Sequence, residues 1–326
     1  MKKKCKDDRC LYLVKEKEQI ESNFSTLTTT TREGLGLWEK CNICGLSINR
    51  KGVEKKDTEK FYNITYQEKN SLEVNKTLSA KEHFEARKPS VKKILDKLNP
   101  VLNSSMRVYE LGAGAGELLF YLKNKVRHCE GNEINKIYSD FINNELKIKC
   151  SHNNFINEKF KSQFDLIISI STLDHIYETR TTVEKIYNDL KKGGLFYLEV
   201  PNDHQILNKY LKPVFSNSFS KFMYQKAHYY SFTFETISAL LENVGFKIQR
   251  EESRQEYTFK NFLNWYFVNG PQRSFEKATS ENTVLDNYDD KIEKEINDLF
   301  INSEEKFIKI VTDNKVGDTI CILTKK

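Results

Sequence analysis

Short apolar runs alternate with segments of helical periodicity from about residue 107 to the end of the chain. Apolar runs of about four to eight residues predict buried strands. Seven segments have this strand character: Arg107–Leu111, Val126–Glu130, Ile148–His152, Phe164–Ser169, Leu195–Val200, Phe246–Arg250 and Thr319–Leu323. Strands that alternate with helices are typical of β-α-β units, so the pattern predicts a doubly wound α/β fold around a parallel sheet.

The pattern changes before this region. Residues 1–50 hold four cysteines and a threonine-rich stretch with little periodicity. This predicts a small, loop-rich module that needs a cross-link, such as a bound metal ion, to fold. Apolar residues at helical spacing in residues 91–98 predict a helix that ends at Pro100.

A long segment of about 68 residues separates the last two predicted strands, and most of it has helical character. We therefore expect three parts in the chain. Residues 1–55 form a cysteine-rich module, residues 56–105 form a helical lead-in, and residues 106–326 form the main domain with a helical insertion at about 252–315.

The composition is that of a folded protein in water. Of the 326 residues, 38% are hydrophobic and 30% are charged, and no apolar run approaches the about 18 residues of a membrane span. The amino-terminus turns acidic where a signal peptide would be apolar, so we expect a cytoplasmic protein. The 52 basic and 46 acidic residues are spread along the chain, which does not indicate a nucleic-acid partner.

The strongest motif is a glycine loop between a strand and a helix. The sequence VYELGAGAGELLFYL places Gly112, Gly114 and Gly116 directly after the first predicted strand. Glycines let the backbone turn sharply and approach a ligand, and the helix that follows presents unpaired N–H groups. The loop lacks the Lys-Ser/Thr pair of an ATP-binding P-loop and differs by one residue from the dinucleotide fingerprint. These features predict a nucleotide-like ligand and disfavour ATP and NAD.

A second acidic residue follows at the spacing of a ribose-binding carboxylate. Glu133 comes 23 residues after Glu110, at the predicted end of the second strand, where it can accept hydrogen bonds from both ribose hydroxyls. The segment from Glu110 to Gly116, together with Glu133, resembles class I S-adenosylmethionine-dependent methyltransferases, whose first strand leads into E/D-x-G-x-G-x-G.

This resemblance covers roughly residues 60–326 and implies a Rossmann-like sheet of seven strands with the last strand antiparallel. It also implies that Glu110, the three glycines and Glu133 bind S-adenosylmethionine. For the adenine pocket, the resemblance implies that Asn154 or Asn153 contacts the exocyclic amine, where relatives often have Asp. Phe155 could flank the ring, although an aromatic residue after a strand is more often part of the core.

Methyl transfer to a hydroxyl needs a group that removes the hydroxyl proton, and histidine suits this because its ordinary pKa is about 6.5. His175, His204 and His228 follow strands or precede the next helix, at the edge of the sheet where such folds bind ligands. We expect His175 to be the base, with Asp174 orienting it or contacting the methionine moiety. A packing role for this pair stays open, as do His204 and His228. Three other histidines are expected to be structural or exposed: His83, His128 and His152.

The cysteines in the first 50 residues form two close pairs. Cys5 and Cys10 have four residues between them, Cys41 and Cys44 have two, and four such thiolates can hold one tetrahedral Zn²⁺. The segment CNICGL resembles the second cysteine pair of sugar methyltransferases with an amino-terminal zinc module, which implies a structural zinc ion. The alternative is a set of unrelated reduced cysteines. We expect three further cysteines to be ordinary strand residues: Cys129, Cys150 and Cys321.

The same resemblance implies an O-methyltransferase that modifies a sugar hydroxyl, on a nucleotide-activated or glycan-attached sugar, for a bacterial surface polysaccharide such as a capsule. Methylation of a quinone, a lipid or another small molecule is an alternative, and so is C-methylation of a keto-sugar. An RNA-modifying enzyme is disfavoured because the loop after the fourth strand lacks an N/D-P-P-Y/F sequence for a flipped base. The sequence leaves the oligomeric state open.

Overall fold

The computed structural model describes residues 24–31, 33–54, 57–62, 78–211, 218–272, 274–279, 284–285 and 290–326. The described residues contain these strands: β1 Phe24–Thr31, β2 Gly34–Cys41, β3 Ser47–Asn49, β4 Arg107–Leu111, β5 His128–Asn132, β6 Cys150–Ser151, β7 Phe164–Ile170, β8 Leu190–Pro201, β9 Tyr230–Ser231, β10 Lys247–Arg254 and β11 Thr319–Lys325. They also contain these helices: α1 Thr58–Lys60, α2 Ala80–Leu98, α3 Glu117–Leu122, α4 Lys136–Asn144, α5 Thr179–Asp189, α6 Ser218–Met223, α7 Phe234–Val244, α8 Phe259–Val268, α9 Phe275–Thr279 and α10 Lys291–Asp313.

Seven strands form the main sheet in the order β10-β11-β8-β7-β4-β5-β6. The neighbours from β8 to β6 pair in parallel, whereas β11 runs antiparallel to both β8 and β10. This arrangement confirms the predicted doubly wound sheet with an antiparallel last strand.

Helices cover both faces of this sheet, as the near-continuous apolar strands require. On one face, α2, α3 and α4 pack on Val108, Leu166 and Ile168. On the other face, α5 and α7 pack on Ile167, Leu198 and Ile320. The central strands are therefore buried on both sides, and polar side chains at the strand ends become the candidates for chemistry.

Helix α2 is longer than the sequence predicts. It begins at Ala80, where the Ser79 side chain accepts a hydrogen bond from the Glu82 backbone N–H in a capping box, and it continues through Pro89 to Leu98. A proline inside a helix normally predicts an end, so only the part after it was predicted. The first half of the helix matters because it places His83 and Arg87 beside the cavity described below.

Residues 24–49 are mostly strand, whereas the sequence predicts loops. β1, β2, β3 and β9 form a four-stranded antiparallel sheet, in which Ile48 pairs with Tyr230. Threonine favours strands. However, β3 also pairs with β9, which is far from it along the chain, and local periodicity cannot reveal such a pairing. The buried Trp38 stacks on Tyr224 with ring centroids 4.9 Å apart. The division into three parts stays a prediction.

The region between β10 and β11 is helical where the structure describes it, with α8, α9 and α10. Helix α10 packs through Phe307 and Val311 on Phe259 and Phe262 of α8. Among the described residues, none of the helices combines the length and apolar character that a membrane-spanning helix requires.

Candidate active site

The glycine loop is fastened to the end of the neighbouring strand β5. The backbone N–H groups of Gly112 and Ala113 donate to the Asn132 carbonyl at 3.0 and 2.9 Å. The Gly114 N–H donates to Oε2 of Glu133 at 3.0 Å. The loop and the second acidic residue therefore form one hydrogen-bonded unit.

The three glycines are needed for different reasons. All three have positive φ angles, which residues with a side chain rarely adopt. A Cβ atom at Gly112 would collide with the Thr172 side chain, and one at Gly116 would lie 2.7 Å from Cγ1 of Ile142. At Gly114 the nearest neighbour would be a Glu117 oxygen at 3.5 Å, so this side of the loop is open. Packing thus requires Gly112 and Gly116, whereas Gly114 leaves the loop backbone accessible.

A cavity of about 420 Å³ opens beside this loop. Its walls include Gly112 and Gly114, Glu133 directly after β5, and residues 170–172 and 175–178 at and after the end of β7. The start of α2 and residues Thr58 and Tyr62 close other sides. The volume lies within the range of about 300–1,000 Å³ that small-molecule sites occupy.

Glu133 is held rigidly in the cavity wall. Its Oε1 accepts from the Asn135 N–H at 2.9 Å, while Oε2 accepts from Gly114. Burial raises the pKa of Glu133 to about 7, although these backbone hydrogen bonds oppose the rise. Each oxygen of an ionised carboxylate can accept a further hydrogen bond, so the group keeps capacity for two hydroxyls.

Other predicted cofactor residues lie in two places. Asn154 and Phe155 line the cavity, and Phe155 also packs against Tyr109 in the aromatic core, with ring centroids 5.5 Å apart. Glu110 is not in the cavity wall, because it is buried below the loop, where burial raises its pKa well above the ordinary value. Asn153 is also outside the wall, and its carbonyl accepts from the Asn132 side chain at 3.2 Å.

Three of the four predicted catalytic residues lie together. Asp174 and His175 form a short turn after β7, and His228 precedes β9. Oδ2 of Asp174 lies 3.5 Å from Nε2 of His175 and 3.6 Å from Nδ1 of His228. Asp174 is 1% exposed, and burial raises its pKa while the charge of His175 partly opposes the rise.

Of these four residues, His175 lies in the cavity wall, and Asp174 and His228 stand behind it. His204 is outside both the wall and this cluster. Its backbone N–H donates to the Asn202 side chain at 3.0 Å, and burial lowers its pKa. The sheet edge alone selects all three histidines, but the chain beyond β8 carries His204 to a different site.

Several cavity residues were not predicted. The Tyr62 hydroxyl lies 2.6 Å from Nδ1 of His175. His83 lies in the wall, although its helical context predicts a structural role, and its Nδ1 is 3.0 Å from a Glu117 oxygen. Tyr177 and Tyr229 also line the cavity. Tyr229 directly follows His228, which was predicted, whereas nothing in the sequence near Tyr62 or His83 indicates the cavity.

The cysteine segment can be compared only in part, because Cys5 and Cys10 lie outside the described residues. Cys41 is buried at the end of β2, and Cys44 lies in the turn that follows. The Gly45 N–H donates to the Cys41 carbonyl at 2.8 Å, and Gly45 has a φ angle of +79°. The turn therefore brings both cysteines to one end of the small sheet. The other three cysteines are buried in strands, as predicted: Cys129, Cys150 and Cys321.

The comparisons with known proteins identify the family. A family model described as a methyltransferase domain matches residues 83–251, which is more than half of the chain. The chain belongs to this methyltransferase family. The match contains the glycine loop, Glu133 and the turn with Asp174 and His175. Most of the cavity wall therefore lies inside the matched residues, apart from Thr58, Tyr62 and Leu78.

Solved structures of similar proteins give weaker likenesses. A SAM-dependent methyltransferase from Archaeoglobus fulgidus is 18% identical with a TM-score of 0.47, over 76% of this chain and 97% of that one. A possible histamine N-methyltransferase from Thermotoga maritima is 16% identical with a TM-score of 0.46, over 82% and 97%. At these scores, the likenesses carry no argument about activity.

A curated relative has a different description. The iron-sulfur cluster assembly protein SufD of Plasmodium berghei is 25% identical over 214 residues, which is 58% of this chain and 16% of that protein. The methyltransferase thus spans about a sixth of the length of this relative, and nothing about its activity follows from the match.

Proposed function

We propose that this methyltransferase uses S-adenosylmethionine and transfers the methyl group to a hydroxyl of a sugar. The observation that carries the cofactor assignment is the Glu133 carboxylate, which Gly114 and Asn135 fix in the cavity wall. A carboxylate in this position accepts hydrogen bonds from two neighbouring hydroxyls, as a ribose presents.

The cavity fits the rest of the cofactor. Its oxygen-rich wall beside the loop includes Asn132, whose buried Oδ1 atom has no hydrogen-bond partner among the described residues. The open side of Gly114 lets a ligand approach the loop backbone. We assign Asn154 and Phe155 to the adenine, and Glu110, Gly116 and Asn153 to the support of the loop and its neighbours. The bound cofactor supplies a methyl group on a positively charged sulfur, which is already a good leaving group.

The chain itself must position the acceptor and take up its proton. We assign the proton to Nε2 of His175, because this histidine borders the cavity and Tyr62 fixes its other ring nitrogen. Asp174 and His228 stand next to it and position the ring. His204 is the weaker candidate, since it is outside the wall.

Polar and aromatic side chains around His175 support a sugar as the acceptor. Thr58, Tyr177, Glu178 and Tyr229 line this part of the cavity. The Tyr229 hydroxyl donates to the Val53 carbonyl at 2.8 Å and lies 3.1 Å from the Thr58 hydroxyl, so the wall is held by its own hydrogen bonds. Such a wall offers several hydrogen-bond partners and aromatic faces to a polyhydroxylated ligand.

We also propose a structural Zn²⁺ ion held by Cys5, Cys10, Cys41 and Cys44. The turn that brings Cys41 and Cys44 together supports this assignment. Thiolate ligands need a reducing compartment, in agreement with the predicted cytoplasmic location. Elemental analysis of purified Cys41→Ser should show one zinc fewer per chain than wild type, with cofactor binding retained. Equal zinc contents would contradict the assignment.

Titration calorimetry tests the cofactor assignment. Glu133→Ala should weaken binding of S-adenosylmethionine by about 10- to 150-fold, since charge-assisted hydrogen bonds contribute about 1.5–3 kcal/mol. Glu130→Gln is the matched control, because it removes a buried carboxylate on the same strand outside the cavity. Unchanged affinity in Glu133→Ala would refute the ribose assignment, and transfer assays on nucleotide-activated sugars, quinones and lipids would then identify the acceptor.

A further inference from the structure

Asp174 presents an unusual buried carboxylate. It is 1% exposed, and neither of its oxygens has a hydrogen-bond partner among the described residues. A buried charged group without hydrogen bonds is costly, so such oxygens normally serve a ligand or an ion.

Two imidazole nitrogens face the same oxygen of this carboxylate. Nε2 of His175 and Nδ1 of His228 lie 3.5 and 3.6 Å from Oδ2 of Asp174, and the three ligand atoms are all within 4.8 Å of one another. In a tetrahedral zinc site, ligands that are each about 2.1 Å from the metal stand about 3.4 Å apart. The observed separations are close to this value before any ion draws the ligands together.

The surroundings hold the two imidazoles in this arrangement. The Tyr62 hydroxyl lies 2.6 Å from Nδ1 of His175, which leaves Nε2 directed at Asp174. The Tyr229 N–H donates to the Asp174 carbonyl at 2.8 Å, so the segment with His228 is tied to the turn with Asp174. A hydrogen bond to the second nitrogen of a histidine is the usual support of a metal ligand.

We propose that Asp174, His175 and His228 bind one divalent transition-metal ion. Two imidazoles and one carboxylate are ligands typical of Zn²⁺, Co²⁺ or Fe²⁺, whereas Mg²⁺ and Ca²⁺ prefer oxygen ligands alone. Three protein ligands leave a coordination position for another oxygen atom.

The use of this position rests on the proposed function. An acceptor hydroxyl bound to the ion releases its proton to solvent more readily, because the ion stabilises the alkoxide. The new oxygen–carbon bond then forms while the carbon–sulfur bond breaks, and the electron pair of that bond stays on sulfur. In the metal-loaded enzyme, Nε2 of His175 is a ligand and cannot also take the proton.

Equilibrium dialysis of the full-length protein against Co²⁺ tests the site. Wild type should retain one equivalent more than Asp174→Asn and than His228→Gln, since any cysteine-bound metal is present in all of them and cancels in the difference. His128→Gln is the matched control, because it removes an imidazole at the start of β5, away from the cavity. It should retain as much Co²⁺ as wild type. Equal Co²⁺ in wild type and folded Asp174→Asn would overturn the proposal.

A measurement on wild type alone covers the case of variants that do not fold. Titration with Zn²⁺ should shift the ring-nitrogen NMR signals of two of the six histidines, and the absence of any shift would overturn the site. Metal binding without S-adenosylmethionine binding would refute the proposed function and leave the site standing. Full transfer by metal-free wild type would refute the role of the ion in catalysis.

Discussion

Two buried carboxylates, Glu130 in β5 of the main sheet and Asp174 in the turn after β7, have opposite surroundings. Glu130 contacts three basic side chains, with Lys149 at 2.5 Å, His128 at 3.2 Å and Arg107 at 3.3 Å. Burial raises its pKa, but Lys149 and His128 outweigh this effect and hold the pKa of Glu130 below its ordinary value. Asp174 has no hydrogen bond to its oxygens among the described residues, and burial raises its pKa.

The difference between Glu130 and Asp174 shows that burial alone does not reveal whether a carboxylate stabilises the fold. Basic partners that hold the pKa of a buried carboxylate down stabilise its ionised form in the fold, whereas a buried carboxylate without hydrogen bonds lowers stability, and we infer that it is retained for a ligand. Glu130 belongs to the first kind and Asp174 to the second. Both carboxylates are buried, so their partners distinguish them.

The largest effect should come from removing the histidine next to Asp174. We expect His175→Ala to lower kcat by about 10²–10⁴-fold with little change in cofactor affinity, whether the imidazole takes the proton or holds an ion. Single-turnover assays measure this. His204→Ala, outside the cavity wall, should lose much less activity. A larger loss in His204→Ala than in His175→Ala would reverse the assignment.

Glu130→Gln should destabilise the fold without affecting transfer. The variant leaves three basic side chains with a weaker partner, and because Lys149 is 73% exposed we expect a loss of only about 1–2 kcal/mol in the free energy of unfolding. Urea denaturation at pH 7 measures it. Since the pKa of Glu130 is lowered in the folded state, the difference between wild type and variant should shrink as the pH falls below the ordinary glutamate range. A difference that persists at low pH would argue against ion pairing.

The surroundings of Glu133 are intermediate between those of Glu130 and Asp174, because each of its oxygens accepts one backbone hydrogen bond. Its pKa is raised to about 7, and only the ionised form accepts from both ribose hydroxyls. Affinity for S-adenosylmethionine should therefore fall as the pH drops below 7, approaching about tenfold per pH unit. Calorimetry between pH 5.5 and 8.5 measures this dependence. The profile of Glu133→Gln should be flat, and a sloping one would place the titrating group elsewhere.

The smallest effect should have the opposite sign to that of Glu130→Gln. Asp174→Asn removes a buried charge whose folded-state pKa is raised, so the ionised form costs stability above the ordinary aspartate pKa. We expect the metal-free variant to be more stable than metal-free wild type by about 0.5–1 kcal/mol at pH 7. Urea denaturation in a chelator decides this. A less stable variant would show that Asp174 supports the fold in the same way as Glu130.

Much of the fold could be predicted because local pattern and fold agree in this chain. The seven predicted strands all occur, with β4 at the predicted bounds and β8 extended toward its start to Leu190. The extension contains the pair Gly193-Gly194, which propensity treats as a break, but Leu190 still pairs with Phe164 of β7. The small sheet was missed because Tyr230–Ser231 pairs with residues far away in the chain.

The cavity residues also fall into two groups: those that a local sequence motif brings together, and those that come from distant segments of the chain. Gly112, Gly114 and Glu133 come together through the order of two neighbouring strands, and the motif spacing already contains that order. Asp174 and His175 also come from one motif. The sequence selected three histidines at the sheet edge, and the path of the chain beyond each strand then separated His204 from the others.

By itself, the sequence therefore determined the sheet, its glycine loop and the acidic residue that faces the loop, because these depend on periodicity and on contacts between successive strands. Only the tertiary structure decided that His228 joins Asp174 and His175, that Tyr62 fixes the ring of His175, and that His83 reaches the cavity. Each of these contacts joins segments that are distant along the chain. Their geometry depends on how helices and loops pack over the sheet, and no local pattern of residues records that packing.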